Sequence, residues 1–212
     1  VEVLKWLHTT FSLTADDARV RENRLIAFVS KNGHVEVLRC LAEVFGLTEE
    51  DARALDNIAL AVAAKNGHVE VLMCLHETYR LSLDDARARD NSAFKCAAGN
   101  GHVEVLRCLV EWFSLTEEDI RADDNQALRA ASKNGHVEVL RCLAELFSLT
   151  SEDVRSDDDY ALRAAAENGH IEVLYWLHDT FGLKVEDARV SYDEALRLAL
   201  LNRHDFVVFW IR

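Results

Sequence analysis

The 212-residue sequence contains no proline, and its 24 Lys and Arg are outnumbered by 37 Asp and Glu. Each shortage excludes something. Collagen-like and mucin-like classes fall away without proline. A formal net charge of −13 argues against a surface that tracks phosphates, because nucleic-acid binders need clustered Lys and Arg to release counterions. Charges interrupt every apolar run, so no stretch approaches the roughly 18 to 20 apolar residues of a membrane span. No charged-then-apolar leader is legible after Val1. What the chain does have is hydrophobic residues: they make up 50% of it and recur at regular intervals, which disfavours disorder.

Those intervals are a repeat. Gly33, Gly67, Gly101, Gly135 and Gly169 fall 34 residues apart, each preceded by Asn and followed by His. Residues 101–134 and 135–168 agree at 25 of 34 positions, and no insertion interrupts the period up to residue 202. A unit of this size cannot bury its apolar face alone and must stack on its neighbours. The expectation is a single elongated α-solenoid over 1–212, with full units 33–66, 67–100, 101–134, 135–168 and 169–202 and partial units 1–32 and 203–212. Both ends fall within a unit, which predicts a fragment of a longer array. Phe206, Val207, Val208, Phe209, Trp210 and Ile211 form an apolar surface awaiting another layer.

Residues 57–90 set out one unit. Asn57 is expected to cap a helix whose Ala59, Leu60, Ala63 and Ala64 share one face, and Asn66-Gly67 supplies its left-handed stop. A second helix from about His68 to Tyr79 carries Val71, Leu72, Leu75 and Tyr79 on its own apolar stripe, giving a helical hairpin. Ser82-Leu83-Asp84-Asp85 reads as a capping box, with Thr48, Thr116 or Thr150 in other copies, so a short third helix follows. β-Branched alternation is missing there, which disfavours a hairpin.

Ala127 to Leu143, Ala-Leu-Arg-Ala-Ala-Ser-Lys-Asn-Gly-His-Val-Glu-Val-Leu-Arg-Cys-Leu, resembles the ankyrin repeat, and the likeness covers both long helices in five copies. The resemblance implies an all-α array of helix-turn-helix units whose product is a protein-binding surface. It also implies that His34, His68, His102, His136, His170 and His204 bond backbone at the turn between helices. The sequence departs from the family in its 34-residue period, in Asn125-Gln126-Ala127-Leu128-Arg129 at the start of the first helix, and in Phe113 to Asp119 where a β-hairpin finger would begin. A short helical turn is expected in place of that finger. A tetratricopeptide array shares the period, but its Trp-x-x-Leu-Gly-x-x-Tyr pattern and its proline are missing.

No residue set points to catalysis or to a bound cofactor or metal. The histidines lie a repeat apart, on the order of 10 Å between packed helices, whereas zinc ligands converge within about 2.0 to 2.3 Å of one ion. Cys40, Cys74, Cys108 and Cys142 share one helical position, too far apart for neighbours to form disulfides, and with Cys96 they make five thiols. Free thiols favour an intracellular, cytoplasmic setting. Asp157-Asp158-Asp159 lacks the glycine and distal Glu of a calcium loop, and helix capping is its ordinary explanation, with calcium the alternative. Arg19, Arg53, Arg87, Arg121, Arg155 and Arg189 each follow an Asp by two residues and predict a ladder of exposed ion pairs between units.

Partner residues are expected where copies differ on the first helix. One position holds Ala27, Ala61, Lys95, Arg129, Arg163 and Arg197; a second holds Lys31, Lys65, Gly99, Lys133, Glu167 and Leu201. A third holds Arg24, Ile58, Ser92, Gln126, Tyr160 and Glu194. The candidate partner-binding set is Lys65, Lys95, Arg129, Lys133, Tyr160, Arg163 and Arg197, with Tyr160 as anchor and the acidic short helices as a second edge. A solvated helix face explains the same charges. The functional expectation is a non-catalytic protein-interaction scaffold whose partner is another protein, not nucleic acid or membrane. The alternative is a structural spacer or assembly subunit that meets flanking repeats or another subunit at its open ends, and an enzyme whose catalytic domain lies elsewhere is a third.

Overall fold

The structure is a computed structural model that describes residues 1–183 and 189–211. Three kinds of helix alternate among them. The first long helices are α3 (Val20–Lys31), α6 (Ala54–Lys65), the later part of α8 (Leu83–Gly99), the later part of α10 (Glu117–Lys133), α13 (Ser156–Glu167) and α15 (Arg189–Leu201). The second are α1 (Glu2–Phe11), α4 (Val35–Glu43), α7 (Val69–Glu77), α9 (Val103–Phe113), α11 (Val137–Phe147), α14 (Ile171–Phe181) and α16 (Asp205–Ile211). Short helices α2 (Ala15–Ala18), α5 (Glu49–Ala52), α12 (Ser151–Val154) and the starts of α8 and α10 come between them. No strand occurs among the described residues, so the finger region is helical, as expected.

The repeats fall into two compact bodies: Val1–Ala97 with Glu104–Asp119, and Ala98–Val103 with Ile120–Arg212. In the first, α3 packs on α4 and α6, and α6 and α4 both pack on α7. In the second, α13 packs on α14 and α15, α11 on α14, and α15 on α16. Small residues set the approach of the first helices: Ala59, Ala63 and Ala64 are buried in α6, as are Ala161, Ala164 and Ala165 in α13. Larger side chains fill the space toward the second helices, where Leu72, Leu75, Leu140 and Leu143 are fully buried. Each such leucine contributes roughly 1.5–3 kcal/mol.

The Asn-Gly-His turn ties each repeat to the one before it. His68 Nε2 lies 3.0 Å from the Lys31 carbonyl oxygen, and its ring covers Gly33, where a Cβ would come within 2.9 Å of it. His136, His170 and His204 reach the Gly99, Lys133 and Glu167 carbonyls in the same way, at 3.1, 2.9 and 2.9 Å. These histidines therefore bond backbone, but that of the preceding repeat. Gly33 has two reasons to be glycine, a φ of +73° and the imidazole seated on it.

One element departs from expectation. Between the short helix and the first long helix, three consecutive residues take left-handed backbone angles: Leu55–Asn57, Arg89–Asn91, Asp123–Asn125 and Asp157–Asp159, all with φ of 53–58°. Left-handed geometry costs an L-residue roughly 1–2 kcal/mol, least for Asn and Asp. Ten of these twelve residues are Asp or Asn. Asn57 does not cap its helix: its Oδ1 is buried without a hydrogen-bond partner. The amide at this register instead spans repeats, with Asn91 Nδ2 donating to the Asp119 carbonyl at 3.0 Å and Asn125 to that of Asp153 at 3.4 Å.

Candidate functional site

Any surface these repeats present is held in register by the short helices. Thr48 caps α5, and Asp51 three residues on returns the bond, accepting from the Thr48 N–H at 2.8 Å. The same carboxylate accepts from Arg19 of the preceding repeat, through Nε at 2.8 Å and Nη2 at 3.1 Å. Arg53–Asp85, Arg87–Asp119 and Arg121–Asp153 repeat this two-point contact, with Nε–Oδ1 distances of 2.7, 2.6 and 2.8 Å. Asp187, the acid of the next rung, lies outside the described residues, as does the Arg189 side chain.

The rungs are not the exposed pairs expected. Their carboxylates are buried, while the guanidiniums are about a third to two-fifths exposed. Burial pushes Asp51, Asp85 and Asp153 up, but the Arg and the N-capping residue together outweigh it and hold each below the usual carboxylate range. In Asp119 the Arg87 hydrogen bond is the largest influence, and the net shift is also downward. Cys40, Cys74 and Cys142 are buried, Cys96 and Cys108 half-buried, and all five are free thiols. No group of three or more His, Cys, Asp or Glu among the described residues is placed to hold a metal ion.

On this frame the first-helix face is treated differently in the two bodies. In the second, Arg129 pairs with Asp157 of the left-handed turn and lies 5.2 Å from the centroid of the Tyr160 ring. Arg163 lies 6.0 Å from that centroid and donates to the Asp158 and Asp157 carbonyls at 2.9 and 3.0 Å. Tyr160, Arg129 and Arg163 are thus brought together, but the guanidiniums are occupied within the fold. Arg197 pairs with Glu194 at 2.6 Å, and Lys133 is exposed at the end of α10. A cavity of about 910 Å³ opens beside the short helix, lined by Asp124, Glu152, Asp153 and Asp157 against Arg121 and Arg155.

In the first body the face holds a groove of about 640 Å³ between α3 and α6. Ala27, Phe28, Leu55, Ile58 and Val62 supply its apolar lining, and Arg24, Lys31 and Arg89 its polar one, with no carboxylate lining it among the described residues. Phe28 is 65% exposed. Lys65 is exposed and Lys95 half-buried, and neither lines the groove. Ala61, placed by its register on the water-facing side, is buried.

Residues 60–153 match the family model of ankyrin repeats in three copies. Over that span the chain carries ankyrin repeats. A search of curated proteins found no match. Ankyrin repeats are generally modules of protein–protein interaction and typically non-catalytic. No described helix is long and apolar enough to cross a membrane. Within this ankyrin frame, sequence reasoning missed the left-handed turn and the groove it borders. The signal for the turn was present, in the Asp-Asn pairs at 56–57, 90–91 and 124–125 just before each first helix.

Proposed function

We propose that the chain is a non-catalytic scaffold that binds another protein through its first-helix face and short-helix edge, using Lys65, Lys95, Arg129, Lys133, Tyr160, Arg163 and Arg197. One observation supports this above the rest: the frame of buried alanines, Gly-His turns and Arg–Asp rungs recurs from copy to copy, while the first-helix positions beside it change from Arg24 to Ile58, Ser92, Gln126 and Tyr160. Variable side chains on a repeated rigid frame are how a surface acquires one partner and not another. Repeats 33–66 to 169–202 are read as one array, and five free thiols favour a reducing, cytoplasmic setting.

The test is a photo-reactive amino acid at Lys95 or, separately, at Tyr160, irradiated in native extract. A discrete protein adduct that is lost with Lys133→Glu and Arg197→Glu supports the scaffold; no adduct at either position refutes it. A second reading, a structural spacer or assembly subunit, is favoured by Phe206 and Phe209, which are 85% and 84% exposed on α16 around a buried Val207. The side chains of Trp210 and Ile211 lie outside the described ones. Self-association abolished by Phe206→Ser and Phe209→Ser, with no adduct at Lys95 or Tyr160, selects that reading.

A further inference from the structure

The residues at the start of the left-handed turns are Leu55, Arg89, Asp123 and Asp157, one register position in four repeats. Asp is at home in this backbone and Leu is not: a bulky side chain at φ 57° is an outlier. Two of the twelve turn residues are neither Asp nor Asn, and both of them, Leu55 and Arg89, line the first body's groove. Backbone strain kept where a side chain meets a cavity is a mark of use.

Charge gives the groove its partner. In the second body the turn acid Asp157 takes Arg129, so a cation of the face is neutralised from within. In the first body the turns contribute Leu55 and Arg89 instead, and Lys31 and Arg89 rim an apolar floor on a chain whose net charge is −13. A basic rim over exposed Phe28 and Leu55 is complementary to carboxylates flanking a large apolar side chain.

We propose that this groove docks an acidic protein segment that inserts a bulky aliphatic or aromatic side chain between Phe28, Leu55, Ile58 and Val62 while its carboxylates meet Lys31 and Arg89. The inference rests on the protein-binding reading above and gives that reading a partner chemistry. The double variant Leu55→Asp, Arg89→Asp rewrites both turns in the manner of Asp157, with residues the backbone tolerates, so loss of binding is separable from loss of folding.

The test uses the full chain and three labelled short peptides, read by fluorescence anisotropy: a Leu-Phe core flanked by glutamates, the same core flanked by lysines, and the glutamate flanks around serines. The glutamate-flanked apolar peptide is expected to bind the wild type, to weaken roughly tenfold or more in the double variant, and to weaken with added salt. The other two are expected to bind at least about tenfold less well. Equal binding of the lysine-flanked or serine peptide, unchanged affinity in the double variant, or no binding of the acidic apolar peptide each overturns the proposal. A thermal midpoint for the double variant no lower than that of wild type shows that the fold is kept; if it falls, Phe28→Ser alone takes its place in the same comparison. An adduct at Lys95 or Tyr160 that survives in the double variant leaves the scaffold standing and removes this groove, whereas absence of any adduct removes both.

Discussion

Replacing Asp85 by Asn tests whether the rungs fasten one repeat to the next. The carboxylate takes four donors: the Ser82 N–H at 2.7 Å, the Ser82 hydroxyl at 3.1 Å, Arg53 Nε at 2.7 Å and Arg53 Nη2 at 3.1 Å. Oδ2 accepts from both Ser82 donors and from Arg53 Nη2, and Oδ1 from Arg53 Nε alone, so an amide that keeps its oxygen in the Oδ2 place turns its NH2 against Nε. Loss of the cap costs about 1 kcal/mol, and hydrogen bonds to a charged group are each worth about 1.5–3 kcal/mol net. The lower figure applies, because Arg53 is 37% exposed and also reaches Glu49 at 3.2 Å. With the cap kept, the Nε bond lost and the Nη2 bond no longer made to a charge, Asp85→Asn is expected to cost about 2 kcal/mol, or roughly 4–8 °C in a chain of this size. Asp17→Asn is the internal control, since Asp17 accepts from Thr14 alone among the described residues and should cost less. Urea unfolding followed by far-UV circular dichroism compares the two, at low and high salt. Equal costs for the two variants, or an Asp85→Asn cost under about 0.5 kcal/mol, would refute the fastening argument.

Gly33→Ala should cost about 2–3 kcal/mol, combining a left-handed backbone penalty of roughly 1–2 kcal/mol with contact against His68, whereas Gly46→Ala, at φ +68° in open space, should show only the backbone part. Denaturation midpoints read the difference, and identical losses would remove the histidine from the account. The rung carboxylates carry folded-state pKa values below their ordinary one, so their stabilisation is complete above about pH 4 and disappears as pH falls through the folded value, where all are protonated. Denaturation midpoints should therefore drop below pH 4 more gently in Asp85→Asn than in wild type; parallel pH profiles would contradict this. Tyr79→Phe removes a buried hydroxyl that donates to the Leu38 carbonyl at 2.8 Å, yet Phe stands at the same register as Phe45 and Phe113, so the expected cost is about 1 kcal/mol by thermal melting. A loss several times larger would mean that the ring is repositioned.

What the sequence made legible is what is local. The Asn-Gly-His turn, the alanine faces and the Thr-to-Asp capping boxes each depend on residues within one helix end, and all are found where their spacing puts them. The Arg-to-Asp pairing between repeats was legible from period alone, though its burial was not: Asp17 makes the same cap and stays exposed, whereas the carboxylates met by an arginine of the preceding repeat are buried. Asn57 was misread for a physical reason: Asn before an apolar helix suits both a cap and a left-handed turn, and only the chain's path decides between them. The first-helix face was found, but its electrostatics were not. Arg129 is answered by Asp157 of the left-handed turn, 28 positions further along the chain, a pairing that the helical period does not display.

Both fastenings between repeats have a direction. His68, His136, His170 and His204 each reach a carbonyl 37 residues earlier, and Arg19, Arg53, Arg87 and Arg121 are each met by an aspartate 32 residues later. During synthesis on the ribosome the repeat that has just emerged therefore carries the acid and the imidazole, while its elder already displays the guanidinium and the vacant glycine. No contact of this kind waits for a distant terminus, so assembly can advance step by step from the amino end, closing each joint about one repeat after the last.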